Sequence, residues 1–382
     1  MSSGLANSGD CHDLIVIGAG LAGLATAAAW IDQEAGSVLV LEAERFPGMH
    51  SSGRNAGMIR QVAEDPSITE MCLRGTELLE QRFGRDSCSF KRTGSLLFDA
   101  HGEISPDSWK QVLFENWSSA QVKACFPELQ HLPPGPARFV PGDGVVEVPA
   151  LIGDLIDTIV SKGGQIQFGT RVGKVSQSAS GELSLPEVWS GDQLHTDPDQ
   201  YRARQIVIAN GAWAQDFSRS SGVEIQIKPT NRSGLITSTF DIAEDPRPWI
   251  WAHEPGWYLR PGAQEYLWSS CEEVGADPGS DLALEDPWER LLRVTESCWG
   301  DISHRVKPLS QWVGQRSFCP DRRFLLGPDP RMEGLHWAVG LGGHGVTCSL
   351  AVGEVVSSGL LGHSIDGQWL WAPERFVDQV QG

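Results

Sequence analysis

The string VIGAGLAGLATAAAW, residues 16–30, limits what this chain can fold into more than any other stretch. It places Gly18, Gly20 and Gly23 directly after the apolar run 13–17 and directly before an Ala-rich segment, 21–30, that reads as a helix. A second apolar run, SVLVL at 37–41, follows and leads into Glu42, 24 residues after Gly18. Strand, glycines, helix, strand and acid in that order make a βαβ unit that binds a dinucleotide. Gly18 permits the tight turn, Gly20 lets backbone approach a pyrophosphate, and Gly23 lets helix and strand close together; the helix N-terminus offers free amides to the phosphates. Ala19, Leu21 and Ala22 fill the turn. Glu42, followed by Ala43 and Glu44, is placed for the ribose hydroxyls, and an acid there favours a ribose without a 2′-phosphate.

Ser67 with Glu70 reads as a capping box opening a helix that carries Ile68, Met71, Cys72, Leu78 and Leu79, with Gly84 as its stop. Leu151, Ile152, Leu155, Ile156, Ile159 and Val160 trace one face of another helix, which ends at Gly163 and Gly164. Apolar strands are expected at 165–168, at 205–209 before Asn210-Gly211, and at 336–340, after which GLGGHG leads into a helix from about Val346. Between about 225 and 320 the βα alternation gives way to Trp- and Pro-rich strands and turns, which suggests an antiparallel layer. The fold class is therefore α/β: a Rossmann-like domain with a parallel sheet and helices on both sides, interleaved with an α+β substrate domain holding a mixed or antiparallel sheet. The expected division assigns 12–85, 142–226 and 317–382 to dinucleotide binding and 86–141 and 227–316 to substrate binding, with 1–11 a flexible tail.

At 382 residues the chain exceeds the size at which one core stops growing. Its 30 basic and 49 acidic residues, a net charge of −19, repel nucleic acid and anionic membranes, leaving at most a peripheral membrane association. No apolar run approaches the roughly 20 residues that span a bilayer. The eight cysteines form no C-x-x-C pair and no metal-ligand spacing, so they read as reduced thiols in a cytoplasmic protein without a metal. Residues 1–12 lack the charged and apolar regions of a signal peptide. Of 15 Trp, three (Trp249, Trp251 and Trp257) crowd one stretch, where they line an apolar pocket or simply pack a core.

Four further segments carry a resemblance: PGMHSSGRNAGMIRQ at 47–61, GTRVGKV around Val172, ANGAW at 209–213, and GLGGHGVTCSLAVGE at 340–354. Together they resemble the D-amino-acid oxidase superfamily of FAD enzymes, which includes glycine oxidase, sarcosine oxidase and amino-acid dehydrogenases. WYLRP at 257–261 and WVGQRSF at 312–318 are similar to D-arginine dehydrogenase and its relatives. The resemblance implies FAD, with Ser51, Ser52, Arg54, Asn55, Ala56, Gly57 and Met58 around the pyrophosphate and flavin, Val172 against the adenine, and Asn210, Gly211 and Trp213 in a family turn. Gly342, Gly343 and Gly345 let backbone approach a planar ring, while the helix starting near Val346 and Thr347 points its positive end at the negative charge of reduced flavin. His344 adds to that field or is structural. The cysteine that tethers FAD in sarcosine oxidases directly follows the family arginine; Ser317 stands there and Cys319 comes two residues later, so FAD is expected to be noncovalent.

The same resemblance puts Arg316 on a substrate carboxylate, with Tyr258 assisting, Gly343 nearby, Arg232 as a second basic position and His50 beside the flavin. Ion pairs for the arginines, a loop contact for Tyr258, and packing or FAD contact for His50 are the competing roles. The glutamate with which D-arginine dehydrogenases hold a cationic side chain falls at Gly94, which speaks against an arginine substrate. Leu267 and Trp268 replace the lysine that helps sarcosine oxidases react with oxygen, which favours a quinone or other carrier over O2 as acceptor. The expected activity is FAD-dependent oxidative deamination or demethylation of a small amino or imino acid. Hydride passes from the alpha carbon to flavin N5, and the imine hydrolyses to a 2-oxo acid. The alternatives are a 2-hydroxy-acid dehydrogenase on the same scaffold, a flavin-binding protein without turnover, and an NAD enzyme.

Overall fold

The computed structural model describes residues 11–85, 87–197, 200–240, 247–262, 264–364, 367 and 370–377. The expected tail lies outside the described residues except for Cys11, which opens the first strand, Cys11–Ile17. Leu14, Ile15 and Val16 of that strand are fully buried, because parallel neighbours and covering layers leave no solvent face. Val38–Leu41 and then Gln165–Gln167 lie parallel on one side of it, Arg202–Ile208 and then Leu335–Val339 on the other. An antiparallel meander, Thr170–Gln177, Leu183–Ser190 and Gln193–His195, joins at the edge.

Four helices, Leu21–Asp32, Pro66–Phe83, Val148–Ser161 and Gly345–Leu360, supply the core on one face of this sheet. The first and last touch backbone to backbone: a Cβ on Gly353 would stand 2.5 Å from the Ala25 carbonyl oxygen. The meander and the short helices Ala214–Ser220 and Glu374–Val377 cover the other face. One local reading is corrected. The helix Pro66–Phe83 is capped by Asp65, whose carboxylate accepts from the Ser67 amide at 2.8 Å, and not by a Ser67–Glu70 box. With Pro66 at the first helical position, Asp65 is the residue whose extended backbone can bend back over the free amides.

The second sheet runs Lys228–Ser238, Glu265–Ser269, Trp257–Pro261, Trp249–Ala252, Ser95–Phe98 and Ala137–Val140, with Pro308–Phe318 on the outer side of Lys228–Ser238. Its pairings are antiparallel except for that of Ser95–Phe98 with Trp249–Ala252. The back face carries Leu96, Leu235, Ile250, Trp257, Leu259, Tyr266 and Trp268, which pack with Phe126 and Trp299 under the helices Ser119–Cys125 and Pro287–Trp299. Strand alternation therefore turns Trp251, Tyr258, Leu267, Ile236, Trp312 and Arg316 to the front, toward the parallel-sheet half. Residues 54–60 cross this front: Arg260 Nη1 donates to the Ala56 carbonyl at 2.6 Å, and the Arg60 guanidinium lies 4.3 Å over the Trp251 ring.

Candidate active site

The glycine turn closes by contact. Gly18 sits at φ 109°, and a Cβ there would meet the Ala209 carbonyl oxygen at 2.6 Å; one on Gly23 would meet the Gly18 oxygen at 2.0 Å. The helix starting at Leu21 has no side-chain cap of its own at Gly20; instead the Leu21 amide donates to Ser52 Oγ at 3.0 Å. The Glu42 carboxylate accepts from the Ala19 amide at 2.6 Å and from the Glu44 amide at 2.8 Å, which fixes it beside the turn.

Around this turn opens a cavity of about 490 Å³, walled by Glu42, Val172, Trp189, Asn210 and Trp213 among others. A second lobe of about 120 Å³ shares Gly20, Ser51, Ser52, Ala209 and Gly211 with the first and reaches Arg316 and the loop 340–343. A larger groove, about 820 Å³, lies on the outer side of the helix layer and contains none of the glycine-turn residues. All of the expected cofactor residues line the two-lobed cleft except Ala19, Gly23, Ala56, Gly57, Met58, His344 and Thr347. Ala19 and Gly23 stand behind the turn, and Ala56, Gly57 and Met58 run beneath the second sheet. Two buried polar atoms on the cleft walls, Asn210 Oδ1 and Ser317 Oγ, have no partner among the described residues. An extended dinucleotide fits these features: backbone amides at a helix start, a fixed carboxylate, aromatic walls and unanswered polar atoms.

His344 points the other way. Its ring lies 3.1 Å from Arg60 Nη2, 3.4 Å from a Glu64 oxygen and 3.7 Å from Cys72 Sγ, while Thr347 Oγ1 accepts from the Arg60 amide at 3.2 Å. Both side chains tie the start of Gly345–Leu360 to the helix layer and leave Gly342, Gly343 and Gly345 to face the cleft. His50 pairs with Glu44 at 2.9 Å and meets the Trp213 ring edge-on at 4.5 Å, in the larger lobe and apart from Arg316. Arg171, stacked 4.0 Å over Trp189, also walls that lobe; unlike Val172 beside them, these two meander residues were missed, because alternation marks a strand and not which edge faces a ligand.

Arg316 lies beside the glycine loop: a Cβ on Gly343 would be 3.6 Å from its Nε. Among the described residues no carboxylate pairs with it. Burial, and then repulsion from Arg232, hold its guanidinium below the ordinary arginine range, with the Tyr258 hydroxyl as its hydrogen-bonding neighbour. Arg232 differs. It pairs with Glu273 at 2.9 Å and donates to the Glu272 carbonyl, so its charge is answered within the fold. Gly94 has φ 73°, and a Cβ there would strike the Phe139 ring at 2.4 Å, so no side chain reaches the site from that position. Cys319 is packed in the core, its thiol pushed up to about 12 by burial, while Ser317 stands on the cleft wall. Among the described residues no group of three or more His, Cys, Asp or Glu is placed to hold a metal ion, and no helix is long and apolar enough to cross a membrane.

A Rossmann-type glycine turn, a two-lobed cleft and a second glycine loop at a helix start define an FAD-dependent oxidoreductase. The chain belongs to the DAO family of FAD dependent oxidoreductases, whose profile matches residues 13–358. It is 24% identical to the monomeric sarcosine oxidase of Streptomyces avermitilis, over 96% of this chain and 98% of that one. It is 22% identical to the mitochondrial L-2-hydroxyglutarate dehydrogenase of Caenorhabditis elegans, over 63% of this chain and 60% of that one. Among solved structures, L-proline dehydrogenase from P. horikoshii superposes with a TM-score of 0.82 at 20% identity, covering 97% of this chain and 99% of that one. Glycine oxidase from Geobacillus kaustophilus does so with a TM-score of 0.77 at 20% identity, covering 94% and 98%.

Proposed function

We propose that this protein oxidises an amino or imino acid at its alpha carbon, with Arg316 and Tyr258 holding the substrate carboxylate. The observation that carries this reading is the half-buried guanidinium of Arg316, which lines the cleft with no carboxylate among the described residues to answer it. An anionic ligand completes it, and only a guanidinium forks onto both oxygens of one carboxylate. Because a guanidinium only donates, it gives a hydrogen to the Tyr258 oxygen and leaves the phenolic proton for the ligand. FAD, when bound, supplies the two-electron acceptor. The chain orients the alpha carbon, excludes water and turns the N-terminus of Gly345–Leu360 toward the cleft, where it favours negative charge.

An amine is the favoured donor because, among the described residues, no His, Asp, Glu or Lys lines the lobe containing Arg316. Once its ammonium proton has passed to solvent, the amine lone pair drives hydride loss with no base in the site, whereas a 2-hydroxy acid, whose hydroxyl does not ionise near neutrality, requires a base for that proton. Within this proposal, FAD occupies the segments 12–85, 142–226 and 317–382, and substrate contacts come from 86–141 and 227–316. The absence of a lysine from that lobe favours a carrier over oxygen as acceptor. The eight free cysteines favour a reducing, cytoplasmic setting. Anaerobic mixing with D-, L- and N-methyl amino acids and matched 2-hydroxy acids tests the reading. Flavin bleaching by an amino acid and not by its hydroxy analogue is expected, and bleaching by hydroxy acids alone would overturn it. Re-admission of air then reports whether oxygen is the acceptor.

A further inference from the structure

We infer that the stacked pair of Trp189 and Arg171 is the platform for the adenine of FAD. The glycine turn answers phosphates and Glu42 answers a ribose, and neither recognises a base. From the turn, the smaller lobe leads to Arg316 and the loop 340–343, while the larger holds Glu42, so the adenosine end belongs in the larger. The Thr170 amide donates to the Glu42 carbonyl at 2.7 Å, which fixes the start of the strand Thr170–Gln177 beside that acid. Arg171 is the next residue, and register sets Trp189 directly opposite it. Both side chains line the open lobe.

The strand is shaped to present them. Gly173 is the extra residue of a bulge between the Val172–Val188 and Lys174–Glu187 pairs, and a Cβ there would stand 2.6 Å from the indole. Glycine at that point therefore gives the ring its place over the strand. The Arg171 guanidinium lies 4.0 Å from the ring centroid, and among the described residues no carboxylate pairs with it; Glu187, on the same wall, is held by Lys174 at 2.6 Å. The indole alone sets the plane of the guanidinium. A planar cation laid on a ring and the ring itself are both surfaces on which a base stacks.

The other aromatic walls of the lobe are already engaged. Phe217 is buried in the core beneath the meander. Trp213 meets His50 edge-on at 4.5 Å, and a Cβ on Gly279 would stand 3.1 Å from its six-membered ring. Trp189 is half-exposed and Arg171 exposed. The competing role for the pair is a surface contact that only steadies the edge of the meander.

The test is the Kd for FAD, read from flavin fluorescence anisotropy as the FAD-loaded protein is diluted, with far-UV circular dichroism verifying that each variant is folded. Stacking of a base on such a surface is worth about fivefold to a hundredfold in affinity. Trp189→Ala is expected to raise the Kd within that range, and Arg171→Ala, at an exposed position, to raise it at least about threefold. FMN, which lacks the adenosine, is expected to bind all three proteins alike. A Kd for FAD within about twofold of the unmodified value in either folded variant overturns the platform. An equal loss of FMN affinity also overturns it, because the pair would then be a prop for the fold.

Discussion

Replacing Arg316 with Met separates a ligand-binding arginine from a structural one. The two side chains are similar in length, so the change removes charge and donors with little change of volume. Removing one partner of a desolvated, hydrogen-bonded charge pair costs roughly 2–5 kcal/mol of binding, about 30-fold to several thousandfold in Kd for a carboxylate. Folding responds differently. Because no carboxylate of the described residues pairs with Arg316, and burial and Arg232 both work against its charge, its loss uncovers no opposite charge. The remaining penalty is the Tyr258 hydroxyl left without a neighbour, about 1 kcal/mol, set against relief of a desolvated cation. We therefore expect Arg316→Met to retain FAD and to unfold within about 1 kcal/mol of the unmodified protein, while carboxylate affinity and anaerobic flavin reduction by substrate collapse together. Titration of the flavin spectrum with phenylacetate, alongside a thermal melt, reads both quantities. A stability loss of several kcal/mol with binding intact would overturn the ligand-binding role and make Arg316 a structural cation.

Gly23→Ala inserts a methyl group 2.0 Å from the Gly18 oxygen, so the turn must open; we expect purified protein with an FAD-to-protein ratio well below one, measured by absorbance. Asp143 is fully buried, and burial drives its carboxyl up to about 7 despite hydrogen bonds from Ser95 and the Gln61 amide. A carboxyl raised in the folded state contributes stability at low pH that is lost as pH rises toward 7, so Asp143→Asn should flatten the fall in denaturant midpoint between about pH 4 and pH 7. Acid precipitation should release all the yellow colour into the supernatant, since Ser317 and not a cysteine stands on the cleft wall; colour retained in the pellet would contradict noncovalent binding.

The parts of this fold visible in the sequence are those whose signal is local. Gly18, Gly20 and Gly23 between an apolar run and an Ala-rich one define the first strand and helix, and the break in βα alternation after residue 225 marks the second sheet. The cleft is also largely legible, because its walls are turns and helix starts with fixed residue needs. Side-chain direction is not. His344 and Thr347 sit within the glycine loop and helix start yet turn toward Arg60, and His50 sits in the family segment yet pairs with Glu44. Nor does spacing report register: that Trp312, Gly234, Ser269 and Tyr258 share one row depends on three strand pairings, the widest of which joins Gly234 to Trp312 across 78 residues of sequence. Ser67 and Glu70 satisfied the pattern of a cap while Asp65, one residue before the proline, held the geometry.

The parallel sheet assembles out of chain order, and this has a consequence for how the protein is made. The first strand, complete at Ile17, is flanked in the fold by Val38–Leu41 and by Arg202–Ile208, and the strand beyond, Leu335–Val339, comes later still. At roughly 5–20 residues per second, a ribosome needs on the order of 15–60 s to travel from the glycine turn to the loop at Gly342. Through the first half of that interval the turn has its helix but not the Ala209 carbonyl that braces Gly18, and through all of it the turn lacks the helix start that faces it across the cleft. A nascent chain can therefore offer FAD no finished site until nearly all of it has been synthesised. Supply of flavin late in synthesis, and protection of an apolar half-sheet before then, become conditions of its yield.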